Sequence, residues 1–247
     1  MPLKLDNLDL SKHVIILTGA TDGIGKEMAR ILAGFNPKRL ILPARNIEKG
    51  NNLLEYIKSS NGNANNVEIW EMDLADLQSV KNFANKFINE IGELHILINN
   101  AGVGVQSRVI KTKDNFELQF QVNHLAPFLL IWSLLDTMKR SVSAELPGKI
   151  AFTTSVANQF GEIDFDNLNL EKNNYWHPFK GRIVQSETEI TAEQGAINVL
   201  YPVFSLETGN YYNEGIEDEP NKIAYDQEIA KKLWDVSEQI LKDHGMI

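Results

Sequence analysis

Apolar residues in this chain fall into short dense runs, separated by longer stretches where they recur every third or fourth position. The runs "VIILTG" (14–19), "RLILPA" (39–44), "VEIWEMDL" (67–74), "LHILINNAG" (94–102) and "KIAFTTS" (149–155) read as five strands. Between them the period changes to that of a helix. Ile24, Met28, Ile31 and Leu32 share one side of a helix from Gly23 to Leu32, and Leu53, Leu54 and Ile57 form the inner stripe of one starting near Ile47. Val80, Phe83, Ala84, Phe87, Ile88 and Ile91 make a third stripe, and a long helix is expected over roughly Phe116 to Arg140. Strands alternating with helices produce a parallel sheet covered on both faces. The expected fold is therefore α/β, a Rossmann-like doubly wound parallel sheet in three αβα layers, with ligands bound beyond the carboxyl ends of the strands.

After Ser155 the rhythm fails. The segment 158–190 is polar, contains a Trp-His-Pro triplet and offers no strand or helix of ordinary length, which is unusual inside a compact domain. Helical patterning returns at "TAEQGAINVLYPVF" (191–204), and a strand-like "GNYYNEG" comes next. "DQEIAKKLWDVSEQILK" then predicts an amphipathic helix with Ile229, Leu233, Val236 and Ile240 inside. No internal repeat or low-complexity tract is present. The chain reads as one domain over residues 1–247, with a cofactor half at 10–155 and an altered carboxyl-terminal part at 156–247.

Composition narrows the function classes. A chain of 247 residues, 43% hydrophobic and 23% charged, suits one sizeable globular domain. Its net charge of -9 argues against nucleic acid, which demands a surplus of Lys and Arg on one face. Zero cysteines exclude disulfides, thiolate metal sites and a cysteine nucleophile, and the five histidines do not cluster as metal ligands would. With no long apolar run before "HVIILTG", neither a signal peptide nor a membrane span is expected, and a cytoplasmic location is the default.

Candidate chemistry begins at the turn after the first strand. "TGATDGIG" places Gly19, Thr21, Gly23, Ile24 and Gly25 between a strand and an amphipathic helix. There the backbone can approach a pyrophosphate closely while the helix offers unpaired N–H groups to its charge. The alternative is three glycines serving only the turn. An acidic residue at the end of the second strand would bind a ribose 2′-hydroxyl; this chain instead has Ala44 and Arg45, and a cation suits the 2′-phosphate of NADP(H). The alternative for Arg45 is a solvated surface charge. Asp73, with Leu74 after it, ends the third strand where a carboxylate could accept the adenine amino group, or could instead cap a helix or close a turn.

In this order and spacing "TGATDGIG", "DL" (73–74), "NNAG" (99–102), "VNHLAPF" (122–128) and "TTSVA" (153–157) resemble a short-chain dehydrogenase/reductase. "ARNIEKG" and "AYDQEIAKKLWDVSEQIL" resemble its retinol dehydrogenase-like and WW-domain oxidoreductase-like branch. The resemblance implies that Asn100, Ala101 and Gly102 border the cofactor ribose, that Asn123 holds a water in a proton relay, and that Ser155 polarises a substrate carbonyl or alcohol. No histidine and acid stand beside Ser155 in the sequence to make it a nucleophile. The implied reaction is hydride transfer between NADP(H) and a small apolar carbonyl or alcohol, with a homo-oligomer left open.

That family delivers the proton with a tyrosine and a lysine four residues later on a helix, a spacing that puts both on one face. No Tyr-x-x-x-Lys occurs after Ser155. Tyr175 and Lys180 are five apart with Pro178 between them, which excludes an ordinary helical turn. By the resemblance, "YWHPFK" should lead into the tyrosine helix, a strand and a Pro-Gly turn; here Lys180 runs directly into "GRIVQSE", which resembles the segment beyond that turn. The expectation is a junction after Lys180 that omits one strand and one helix and leaves apolar sheet surface uncovered. Trp176, His177 and Phe179 read as loop anchors or pocket wall. The alternative function is an NADP(H)-binding protein without turnover.

Overall fold

β1 (Val14–Leu17) is the apolar centre of the molecule, and each of its four residues is fully buried. Its side chains alternate between two cores, as the pleat of a strand requires. Ile15 and Leu17 face one core with Leu40, Leu42, Ile96 and Ile98; Val14 and Ile16 face the other with Ile41 and Leu97. The computed structural model describes residues 5, 8–62, 64–104, 108–155, 162–171, 191–204 and 209–247.

Around β1 lie β2 (Arg39–Ala44), β3 (Val67–Glu71), β4 (Ile96–Asn99) and β5 (Lys149–Phe152), in the order β3-β2-β1-β4-β5, every pair parallel. The direction of strand progression reverses between β1 and β4, which opens a crevice beyond their carboxyl ends. The first core is filled by α1 (Gly23–Gly34), α2 (Ile47–Asn61) and α6 (Ala192–Phe204). The second is filled by α3 (Leu77–Glu90), α5 (Ala126–Ser141) and the end of α7 (Gln227–Asp243). The doubly wound parallel sheet read from the sequence is the fold.

Three helices start at residues whose side chains cap them, none of them singled out in the sequence. The side chains of Asn46, Asp76 and Asp226 accept from Lys49 N, Ser79 N and Ile229 N, and Gly62 closes α2 in the left-handed region at φ 81°. Each such cap satisfies groups that the helix itself leaves unpaired.

The structure sharpens four expectations. The third, fourth and fifth strands end at Glu71, Asn99 and Phe152, because the chain leaves the ladder for the loops that build the site. The long helix is present from Leu118 to Ser141, and within it α4 (Leu118–Phe120) passes through a π-helical turn, Gln121–Leu125, into α5. "GNYYNEG" belongs to an antiparallel hairpin of β6 (Tyr211–Asn213) and β7 (Ile216–Asp218), turned by Glu214 and Gly215 at φ 52° and 77°. Two consecutive positive-φ residues suit the tight turn between twisted strands. On α7 the fully buried residues are Ser237 and Leu241, while Ile229, Leu233, Val236 and Ile240 are half-buried.

Leu118–Ser141 is long and apolar enough to cross a membrane. Here Leu125, Leu129, Leu130, Leu134 and Met138 bury its inner face in the second core, as a core helix does.

Candidate functional site

The site grows from the turn between β1 and α1. Gly19 has φ 70°, and a Cβ on it would stand 2.7 Å from the Ala101 Cα; a Cβ on Gly25 would stand 2.0 Å from the Gly19 carbonyl oxygen. Both positions need glycine so that the turn, the helix and the end of β4 can meet. Gly23 differs: its φ is 52° and nothing lies within 4 Å of the place where a Cβ would be. It leaves the start of α1 uncovered.

Asp22 caps α1 by accepting from Gly23 N at 2.8 Å, and Lys26 N bonds to Asp22 O. The N–H groups of Ile24 and Gly25 have no hydrogen bond among the described residues. Two unpaired donors at the positive end of a helix, beside an open glycine, fit a phosphate group. The side chain of Thr21, next along the turn, is half-buried.

Thr18 ties this turn to the end of β4. Its hydroxyl accepts from Asn100 N and Ala101 N, both at 3.0 Å, while Asn100 Nδ2 donates to the carbonyls of Thr18 and Gly19. Asn100 and Ala101 therefore hold the crevice open at a fixed width. Thr18 was not singled out in the sequence, although it is the residue immediately before the first glycine of the turn. Gly102 comes next along the chain, with Asn123 Oδ1 3.5 Å from where its Cβ would stand.

Asn123 sits on the π-helical turn, where it accepts from Val103 N at 2.9 Å and donates to Val103 O at 3.0 Å. It clamps the loop after β4 onto the helix. A π turn aims one side chain out of the regular helical row, and such turns frequently sit at functional sites. The next residue, His124, points inward: its ring stacks on Phe120 and its Nε2 lies 2.7 Å from Ser237 Oγ. Because Ser237 Oγ donates to Leu233 O, it accepts from His124, which fixes the Nε2–H tautomer. Burial pushes the His124 pKa down to about 4, so the ring is neutral. The Ser237 partnership was missed because serine in a mostly polar helix carries no signal of burial.

At the ends of the outer strands the remaining candidates separate. Arg45 is exposed just before α2 and makes no ion pair among the described residues. Asp73 closes a turn, accepting from Ala75 N at 2.9 Å while its own N–H bonds to Ser79 Oγ. Leu74 packs against the second core, and its carbonyl accepts from Gln121 Nε2. Ser155 is exposed beyond β5 and lines a groove of about 1460 Å³ that also touches Ile24. Asn123 lines a different groove, of about 600 Å³, between α5, α7 and β5. The two candidate catalytic residues thus line separate cavities. Tyr175, Trp176, His177, Phe179, Lys180 and the junction after Lys180 lie outside the described residues.

Known proteins resemble this chain in sequence and fold. The family described as short chain dehydrogenase matches residues 13–166. Human (Homo sapiens) retinol dehydrogenase 11 is 41% identical over 165 residues, covering 67% of this chain and 50% of that protein. The WW domain-containing oxidoreductase of Gallus gallus is 38% identical over 179 residues, covering 70% of this chain and 42% of that protein. The chain spans about half the length of the curated relatives it matches. Among solved structures, a metagenomic short-chain oxidoreductase in complex with NADP aligns with a TM-score of 0.51 at 30% identity, over 61% of this chain and 65% of that one. A Burkholderia phymatum short chain dehydrogenase/reductase in complex with NAD aligns at 0.50 and 21% identity, over 62% and 52%, and supports the fold alone.

Proposed function

The chain belongs to the short-chain dehydrogenase family, and on that premise we propose that it binds NADP(H) across the crevice between β1 and β4. Ile24 N and Gly25 N would hold the pyrophosphate, with Gly19, Thr21 and Gly23 shaping the turn beneath it. Arg45 would meet the 2′-phosphate, Asp73 and Leu74 would border the adenine, and Asn100, Ala101 and Gly102 would border the ribose. The observation that carries this reading is the open start of α1, with its two unpaired donors, fixed to β4 through Thr18 and Asn100.

When bound, the nicotinamide supplies or accepts hydride. The protein's own share would be to polarise a carbonyl or alcohol of an apolar substrate through Ser155 and to order water at Asn123. Relatives named as retinol dehydrogenases support an apolar alcohol or aldehyde as the substrate class. Zero cysteines are compatible with work in a reducing cytoplasm.

A second reading, nucleotide binding without turnover, is favoured by one observation: no Tyr-x-x-x-Lys occurs anywhere in the 247 residues. Alkoxide formed by hydride transfer needs a proton donor held in place, which that pair would have supplied. Titration of the purified chain with NADPH and NADH, monitored by nucleotide fluorescence, tests the shared premise. Saturable NADPH binding that weakens about tenfold in Arg45→Ala, with NADH unaffected, supports the assignment of Arg45. No NADPH binding removes both readings. NADPH oxidation with any of a panel of aldehydes, ketones and retinoids selects the first, and binding without oxidation selects the second.

A further inference from the structure

Among the described residues β5 is the last strand of the sheet, and one of its edges faces away from β4. Lys149 N and Thr153 N bond to the carbonyls of His95 and Asn99 on β4. The register then turns the N–H and C=O groups of Ile150 and Phe152 outward. Those groups have no hydrogen bond among the described residues. An exposed strand edge of this kind is a template for another extended segment.

Both faces of the sheet are hollow beside that edge. On the α5 side, Ile150 and Phe152 join Phe128, Trp132 and Trp234 around the groove of about 600 Å³. Phe152 is 58% exposed and Trp234 47%. On the α6 side, the groove of about 1460 Å³ runs the whole length of the strand, from Gly148 to Ser155, and its far wall is the β6–β7 hairpin. That wall carries Glu214, Glu217 and Asp218, none of which pairs with a cation among the described residues. Among the described lining residues the cation is Lys149, at the start of β5.

We propose that the outer edge of β5 receives an extended peptide segment of a partner protein, whose side chains alternate between apolar and basic. Pairing with Ile150 and Phe152 supplies the backbone hydrogen bonds, and the period of two sends alternate side chains to opposite faces. One set enters the aromatic groove. The other meets the acidic hairpin, where lysine or arginine finds carboxylates that lack a cation. A helix cannot use the strand edge. A second copy of this chain brings the same acidic wall and a net charge of -9, so like charges meet across the contact.

The test uses the full chain and capped eight-residue peptides of alternating lysine and valine, monitored by tryptophan emission and calorimetry. Saturable binding is expected, about tenfold weaker when the backbone nitrogens of the pairing residues are methylated, and little changed when the intervening nitrogens are methylated. A peptide of alternating glutamate and valine is expected to bind at least about tenfold more weakly, and Glu217→Lys with Asp218→Lys to narrow that gap. Those hairpin residues are exposed, so the double substitution leaves the core intact. Equal binding by both methylated series overturns the strand-addition geometry, equal binding of acidic and basic peptides overturns the charge assignment, and no saturable binding overturns the proposal.

Discussion

β1 and β5 carry similar apolar runs, "VIIL" and "KIAF", yet one is the most buried element of the molecule and the other its most open strand of the main sheet. β1 has a strand on each side and helices on both faces. β5 has β4 on one side, and Ile150 and Phe152 remain 38% and 58% exposed. An apolar run therefore states a demand for cover, and the rest of the chain decides whether the demand is met. In this protein the sheet from β3 to β4 is closed by its own helices, whereas the strand beside the candidate chemistry is not. Stability should come from the closed part, and whatever chemistry or binding the chain performs is built at the border between the two.

The largest expected effect lies in the closed part. Ile16→Ala removes a fully buried side chain between α3, α5 and the sheet and should cost about 4 kcal/mol in denaturant-induced unfolding. A cost below about 1 kcal/mol would mean that the centre of the sheet can collapse around the cavity, and the contrast with β5 would fail.

Acid should act next, through the histidine that pins α7 to the helix before α5. Burial holds His124 down at about 4 against an ordinary value of 6.5, and it also lowers His13 and His95. The unfolded chain takes up protons below about pH 6.5 that the folded chain refuses, so stability is full above that pH and falls as the pH drops toward 4. For His124 alone the loss approaches about 3 kcal/mol. His124→Gln should flatten the dependence between about pH 7 and pH 5 when unfolding is monitored by circular dichroism. An unchanged slope would place the proton uptake elsewhere.

Thr18→Val keeps the shape of the side chain and removes the acceptor of two N–H groups. It should cost about 2 kcal/mol and weaken NADPH binding together with stability. Loss of affinity without loss of stability would mean that Thr18 touches the nucleotide rather than the end of β4.

The reach of sequence reasoning respects the same division. In the closed part β1 and β4 are buried along their whole length, so their apolar runs are dense and legible, whereas Asn46, Asp76 and Gly62 were not singled out although each is a residue type that marks a helix end. Gly19 and Gly25 were legible as a turn, but their different duty from Gly23 rests on what stands within 4 Å of each. The π turn at Gln121–Leu125 was not legible, since the apolar spacing there suits a regular helix equally well. Nor was the burial of Ser237, which depends on His124 arriving from a residue 113 positions away. Around β5 the sequence departs from its periodicity at the point where cover is missing. Among the described residues no strand of the main sheet follows β5, and its Ile150 and Phe152 stay exposed where the regular spacing of apolar residues stops.

The smallest effect is the one most able to close the comparison. Phe152→Ser puts a hydroxyl on a strand residue that looks into the aromatic groove rather than into a packed core. If β5 is open, the serine side chain is solvated, few contacts are lost, and unfolding should change by less than about 0.5 kcal/mol. The same substitution on a covered strand would bury an unsatisfied hydroxyl beside a cavity and cost several times more. A loss of about 2 kcal/mol or more would therefore show that Phe152 is covered in solution and that β5 is no edge. A null result on stability, combined with weaker capture of the lysine–valine peptide, would locate the value of Phe152 in binding rather than in folding.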